Sequence, residues 1–166
     1  MAPISTTPLK GHRKNQLKIA GYTLDYICDI EPLKNSEGAV TEFLPQSRYR
    51  NKNSVKLNKY GGGSFCKFKI PNGYNTCGVY ALLLGEGIKY IGECINLSAR
   101  YNMGYGNISP KNCYVGGQET NCRLNQLILQ VTKEGGKVSL WFVETEDYKS
   151  VESKIRSLKK YDWNRV

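Results

Sequence analysis

The sequence predicts an α+β fold, a layer of sheet and helices that carries a basic, β-rich extension at its N-terminal side. Three observations lead there. Apolar residues alternate with period two over Tyr22 to Ile30 and Ser64 to Ile70, both ahead of a turn cluster, Pro71-Asn72-Gly73-Tyr74-Asn75, which marks strands. Cys77 to Gly92 is two β-rich runs around Gly85-Glu86-Gly87, which reads as a hairpin. Late in the chain, apolar residues recur at helical spacing twice.

The 166 residues suffice for one domain, or one domain with an arm, and 40% hydrophobic against 23% charged residues can bury a core. The turn cluster divides the chain into residues 1–75, a basic β-rich extension, and residues 76–166, expected to form one compact unit with it. The longest apolar run, Val79 to Leu84, has six residues, and Met1 to Lys10 lacks the apolar centre of a secretory leader. Neither membrane insertion nor secretion is expected, and the expected location is the cytoplasm.

In order along the chain, Tyr22, Leu24, Tyr26, Cys28 and Ile30 alternate with polar or smaller neighbours, a strand with one buried face. Cys66, Phe68 and Ile70 alternate with Lys67 and Lys69 and predict another over Ser64 to Ile70. Between them lie Arg48-Tyr49-Arg50-Asn51-Lys52, Lys56, Lys59, Tyr60 and three glycines, a segment expected to be flexible. After the hairpin, Asn96 is a candidate N-cap for a short helix from Leu97 towards Met103, stopped by Gly104. Leu124, Leu127, Ile128 and Val131 define a helix that Gly135-Gly136 would end. Val138 to Glu144 reads as a third strand, and Val151, Ile155 and Leu158 put one face of a last helix on the core.

Charge narrows the function. The net charge of +10 raises anion affinity, and nucleic acid is the leading partner class. Residues 1–75 hold 12 basic and 5 acidic residues, the remainder 12 and 9, so the first part is the more basic. Arg48, Arg50, Lys52, Lys67 and Lys69 are its candidate DNA-backbone contacts, although each also fits a solvated loop. Gln118, Asn121, Arg123 and Asn125 are side-chain types that contact base edges and phosphates; Thr120 or Asn121 capping a helix explains the same segment equally well. The cysteines at 28, 66, 77, 94, 113 and 122 contain no C-x-x-C pair, and the single histidine, His12, is remote from them in sequence. A zinc site is not expected, and the thiols should be reduced and mostly buried.

The hairpin also sets up a site. If Leu84 faces Ile88, Leu82 lies opposite Tyr90 and Tyr80 becomes the diagonal neighbour of Tyr90 on the same face. A slip of one residue separates the two phenols. On spacing alone, such a pair more often fills a core or surface than catalyses.

Gly78-Val79-Tyr80, Tyr90-Ile91-Gly92 and Asn96-Leu97-Ser98-Ala99-Arg100 together resemble the GIY-YIG nuclease family. That family joins a G-[IV]-Y strand, a Y-[IV]-G strand and a later arginine; here Tyr90 follows Tyr80 by ten residues and Arg100 follows Gly92 by eight. With Glu152 and Asn164 downstream, the likeness runs from Gly78 to Asn164. It implies a core of three antiparallel strands flanked by helices, and metal-dependent phosphodiester hydrolysis without an organic cofactor. Tyr80 would be the general base, with its ordinary pKa near ~10 lowered by cations. Tyr90 would orient the water or phosphate, and Arg100 would neutralise transition-state charge. Glu152 would be the single protein ligand of Mg²⁺, with Mn²⁺ as a substitute, though an ion pair with Arg156 is its plain alternative. Asn164 would support the site by hydrogen bonding. Many members carry a histidine shortly after the arginine; this chain has none there, and Tyr105 is the candidate substitute. Glu93, directly after the second motif, would either pair with Arg100 and weaken phosphate binding or hold it in place.

The reading that follows is a type II restriction endonuclease acting on a specific double-stranded DNA sequence, as a homodimer if each site cuts one strand. The alternatives are a nickase, repair or homing-type nuclease, and a catalytically weak DNA-binding protein of the same fold.

Overall fold

The computed structural model describes residues 15–165; the first fourteen residues of the basic N-terminal part, including His12, lie outside them. The fold is α+β, with a five-stranded antiparallel sheet and, among the described residues, three α-helices. In chain order these are β1 (Gln16–Ile19), β2 (Tyr22–Ile30), β3 (Gly78–Leu84), β4 (Gly87–Cys94), α1 (Leu97–Arg100), α2 (Glu119–Lys133), β5 (Val138–Glu144) and α3 (Tyr148–Arg156). The sheet order is β1-β2-β5-β3-β4. No helix among the described residues is long and apolar enough to cross a membrane.

Contacts group the chain into two compact units. Among the described residues, one comprises residues 15–29, 76–95 and 139–165, the other residues 30–75 and 96–138. Each draws on segments from both sides of the Pro71–Asn75 turn.

In the first unit the sheet carries α3 on one face. Leu24 of β2, Val79, Ala81 and Leu83 of β3, Ile91 of β4 and Trp141 of β5 meet Val151 and Ile155 of α3 in one apolar cluster. Six of the seven β3 residues are buried, so its side chains are covered on both faces, and this is why it reads as a continuous apolar run. Beside the β3 terminus, the Thr145 N–H donates to the Cys77 carbonyl, an antiparallel start for the β3–β5 pair. β4 would be an open edge, but residues 161–164 cover it. The Trp163 N–H donates to Lys89 at 2.8 Å, and the Asn164 amide both accepts from the Ile91 N–H and donates to its carbonyl, each at 2.9 Å. The expected inward Leu158 is exposed, because α3 ends at Arg156 and the chain turns away before the next inward position. Tyr26 is likewise 38% exposed, set edge-on against Trp141.

The hairpin register matches the expectation over most of its length and departs at the tip. Tyr80 pairs with Gly92 and Leu82 with Tyr90; a bulge then shifts Leu83 onto Ile88 and Leu84 onto Gly87. The connection is therefore the two residues Gly85-Glu86, with Gly85 at φ +62°, a position glycine takes without strain.

The second unit departs from local patterning more. Ser64 to Ile70 keeps the expected alternation, with Cys66, Phe68 and Ile70 buried, but forms no strand ladder beyond a single bridge from Phe65 to Phe43. Side chains substitute for a neighbouring strand. Asn125 of α2 accepts from the Cys66 N–H at 2.9 Å and donates to the Cys66 and Tyr105 carbonyls at 2.8 Å each. Asn102 accepts from the Ile70 N–H at 2.7 Å and donates to its carbonyl at 3.0 Å. Asn96 caps α1, accepting from the Ala99 N–H, but Gly104 does not stop the helix. The chain widens into a π-turn over Tyr101–Tyr105, closed by the Gly106 N–H on the Tyr101 carbonyl at 2.7 Å. This lets the buried rings of Tyr101 and Tyr105 meet edge to face, 5.0 Å apart.

α2 starts at Glu119 with Gln118 as its N-cap residue, so Thr120 and Asn121 sit inside the first turn and neither caps it. It ends as expected. The Gly136 N–H reaches the Val131 carbonyl and the Gly135 N–H the Thr132 carbonyl, with Gly135 at φ +85°, a Schellman closure. None of the six cysteines forms a disulfide, and Cys66, Cys94, Cys113 and Cys122 are buried.

Candidate functional site

Tyr80 and Tyr90 stand on one face of the hairpin, with ring centroids 6.1 Å apart and planes 30° apart. The register explains the glycine between them in space. A Cβ on Gly92 would lie 2.5 Å from both Cζ and Oη of Tyr80, so the Tyr80 ring occupies the volume a side chain would take. Gly78 has a comparable reason, since a Cβ there would meet the Val143 carbonyl oxygen at 2.1 Å. Tyr80 is 1% exposed, whereas Tyr90 is half-buried. Asn164 grips the backbone of Ile91, the residue after Tyr90, and so acts on the second motif strand through its main chain.

Glu152 projects from α3 beside the buried Val151, with its side chain 17% exposed. Its Oε2 accepts from Nη1 of Arg156 at 3.3 Å, the i,i+4 pair that spacing alone allows. Nη2 of Arg156 donates to the Arg165 carbonyl at 2.7 Å. Burial pushes the Glu152 carboxyl above its ordinary value; the Arg156 charge and hydrogen bond oppose this, and the Glu93 charge adds to it. Glu93 thus acts on Glu152; it stands opposite Val79 in the β3–β4 pair. Glu152 also lines a cavity of about 580 Å³ between the end of α3 and the final residues. Among the described residues, no three His, Cys, Asp or Glu side chains gather as a metal cluster.

The other nominated residues belong to the second unit. Arg100 is the last residue of α1 and is half-buried, and Tyr105 is 2% exposed against Tyr101. Arg48, Arg50, Lys52 and Lys69 are exposed, while Lys67 lies over the Phe43 ring at 4.4 Å. Gln118 is exposed at the start of α2, with Asn121 and Arg123 half-buried in its first turns.

Two sequence-based expectations do not hold in the structure. Asn125 is 0% exposed and spends its amide on the backbone, so it has no edge to offer a base. The Arg48–Gly63 segment is not a loose loop. The Tyr49 ring packs on Tyr114 at 4.6 Å, the Asn58 N–H donates to the Cys113 carbonyl, and Gln126 donates to the Tyr60 carbonyl. Tyr49 and Tyr60 pack against a core of Phe65, Ile108, Cys113, Tyr114 and Cys122, so packing already employs those aromatic faces. Sequence reasoning missed the paired roles of Asn102 and Asn125, for which only their placement on otherwise apolar faces gives a signal.

No family model, no curated protein and no solved structure matches this chain.

Proposed function

We propose that this chain is a metal-dependent endonuclease of the GIY-YIG type that hydrolyses phosphodiester bonds at a specific double-stranded DNA sequence. Its catalytic core would be the β5-β3-β4 strands. The observation that carries the reading is the tyrosine pair: two phenols on one face of a hairpin, with Tyr80 filling the space over Gly92.

In this reading Tyr80 takes the proton of the attacking water, and Tyr90 orients that water or the phosphate. Arg100 neutralises charge on the phosphorane-like transition state through its planar donor fork. Asn164 is a positioning residue, acting through the Ile91 backbone. Tyr105 is the substitute for the family histidine. The donor chemistry at Glu152 suits a hard divalent ion: it is a carboxylate disfavoured by burial, and its Oε2 is engaged only by a long contact. Glu152 would hold Mg²⁺, or Mn²⁺ as a substitute, and the ion would supply positive charge for the phosphate and polarise water. Arg48, Arg50, Lys52, Lys67, Lys69, Gln118, Asn121 and Arg123 contact DNA. Cutting both strands requires two copies on a symmetric site, in the cytoplasm where the substrate is.

Two observations favour a second reading, a DNA-binding protein without catalysis: Glu152 already pairs with Arg156, and Tyr80 is 1% exposed. Incubation with plasmid DNA and Mg²⁺ or Mn²⁺, with EDTA and Glu152→Ala as controls, separates the two. Discrete metal-dependent fragments support the restriction enzyme, and nicked circles indicate the nickase. Intact plasmid that is retarded in a gel refutes catalysis. Tyr80→Phe and Arg100→Ala should each lower cleavage by roughly 10²-fold or more with DNA affinity retained.

A further inference from the structure

The cavity at the end of α3 holds a concentration of positive charge that the sequence-level division of charge does not single out. Its walls include Arg156, Lys159, Lys160 and Arg165 against two carboxylates, Glu152 and Asp162. Both carboxylates are engaged. Glu152 pairs with Arg156, and Asp162 accepts from Lys89 at 2.9 Å. Lys159, Lys160, Arg156 and Arg165 are exposed.

The cavity is also built rather than open by chance. The Arg156–Arg165 hydrogen bond ties its two walls together, the Tyr161 hydroxyl donates to the Ile155 carbonyl at 3.1 Å, and Asn164 anchors the final residues to β4. The Tyr161 bond also satisfies a carbonyl at the helix end, where free carbonyls would repel an anion.

The aromatic residues of this stretch, Tyr161 and Trp163, are buried, at 4% and 8% exposure, so they present no face on which a base could stack. Cations without an open ring recognise phosphate, not sequence.

We propose that this cavity is a phosphate-docking site for the DNA backbone, seating a phosphodiester that flanks the one beside Glu152. The flanking position rests on the nuclease reading; the docking itself does not. Arg156 and Arg165 form the walls, and Lys159 and Lys160 supply the exchangeable charge.

The experiment titrates a fluorescent DNA duplex by anisotropy, in EDTA, over a range of salt concentrations. Lys159→Gln/Lys160→Gln is compared with Lys18→Gln/Lys149→Gln, which removes equal charge from exposed positions outside the cavity. The cavity pair should weaken binding about tenfold and flatten the log–log salt slope by about two. Lys159→Arg/Lys160→Arg should restore both. Equal losses in the two Gln pairs would overturn the site, since they would mean only net charge matters. Inorganic phosphate, added against chloride at matched ionic strength, tests the source of the phosphate. Displacement at phosphate concentrations no higher than those at which the duplex itself saturates the protein would assign the cavity to the free anion and overturn the backbone assignment, whereas displacement only far above that range is the competition expected of a backbone site. Because the titration contains no metal, it succeeds or fails independently of plasmid cleavage. Binding that meets these criteria without any cleavage would refute the nuclease and leave the docking site standing.

Discussion

Gly92→Ala tests the packing on which the tyrosine pair depends. The added methyl would lie 2.5 Å from Cζ and Oη of Tyr80 and 2.8 Å from Cε1. Ordinary carbon contacts are ~3.5–4.0 Å, so the overlap is about 1 Å. Tyr80 is 1% exposed and has little room to retreat, and Asn164 restrains the neighbouring Ile91 backbone from the opposite edge. Overpacking of this kind costs roughly 1–3 kcal/mol. Alanine recovers about 0.4–1 kcal/mol of unfolded-state entropy that glycine forfeits. The net expectation is a loss of about 1–2 kcal/mol, read as a lower urea midpoint at unchanged m. Tyr80→Leu shortens the side chain beneath the methyl, so the double variant should be more stable than the two single losses predict, with a coupling of at least ~1 kcal/mol. Plasmid cleavage by Gly92→Ala should fall as well, although no reacting group is removed. An unchanged midpoint, or strictly additive losses, would refute the claim that the Tyr80 ring fills the Gly92 site.

Three further outcomes follow from the same geometry. Asn125→Leu keeps the volume but strands the Cys66 N–H and the Cys66 and Tyr105 carbonyls, so urea unfolding should show a loss of about 3 kcal/mol or more; a loss below ~1 kcal/mol would mean water or a backbone shift replaces the amide. Hydrogen bonds from Ser64 and Lys133 hold Glu42 below its ordinary value of 4.5, so its contribution is present above that value and lost as pH falls through the lowered one; Glu42→Gln should cost under ~1 kcal/mol at neutral pH and nothing in strong acid, and a constant difference across a thermal-denaturation pH series would refute the assignment. Glu152 has the opposite sign, its raised carboxyl favouring the fold below its ordinary value and losing that favour as pH rises through the raised one; Glu152→Gln should therefore unfold at neutral pH no earlier than the parent while losing cleavage, and a lower midpoint would show that the Arg156 pair outweighs burial.

Much of the local structure was legible because its causes are local. β2, the hairpin, α2 and β5 follow from periodicity, and the Asn96 cap and the Gly135-Gly136 closure follow from single residue types in place. The pairing of Leu82 with Tyr90 follows from turn register, and the bulge that shortens the connection to two residues leaves that pairing untouched. The misses share a different cause. Ser64 to Ile70 alternates like a strand, yet its hydrogen bonds are completed by asparagines that are distant in sequence. Gly104 resembles a helix stop, but the partners that make a π-turn favourable there are the buried rings of Tyr101 and Tyr105. Leu158 continues the helical spacing past the point where α3 ends, and nothing in spacing alone says when a helix stops.

Which side chains share a face follows from residue order, because pleat and helical pitch are properties of the backbone and need no partner. That put Tyr80 beside Tyr90 and set Glu152 next to the buried stripe of α3. Packing set what the other side chains touch: Tyr80 over Gly92, Asn125 and Asn102 in place of strands, and Asn164 on the edge of β4. Such contacts join residues far apart in the chain. They are selected by which buried polar groups remain unsatisfied and which volumes remain unfilled once the elements have packed.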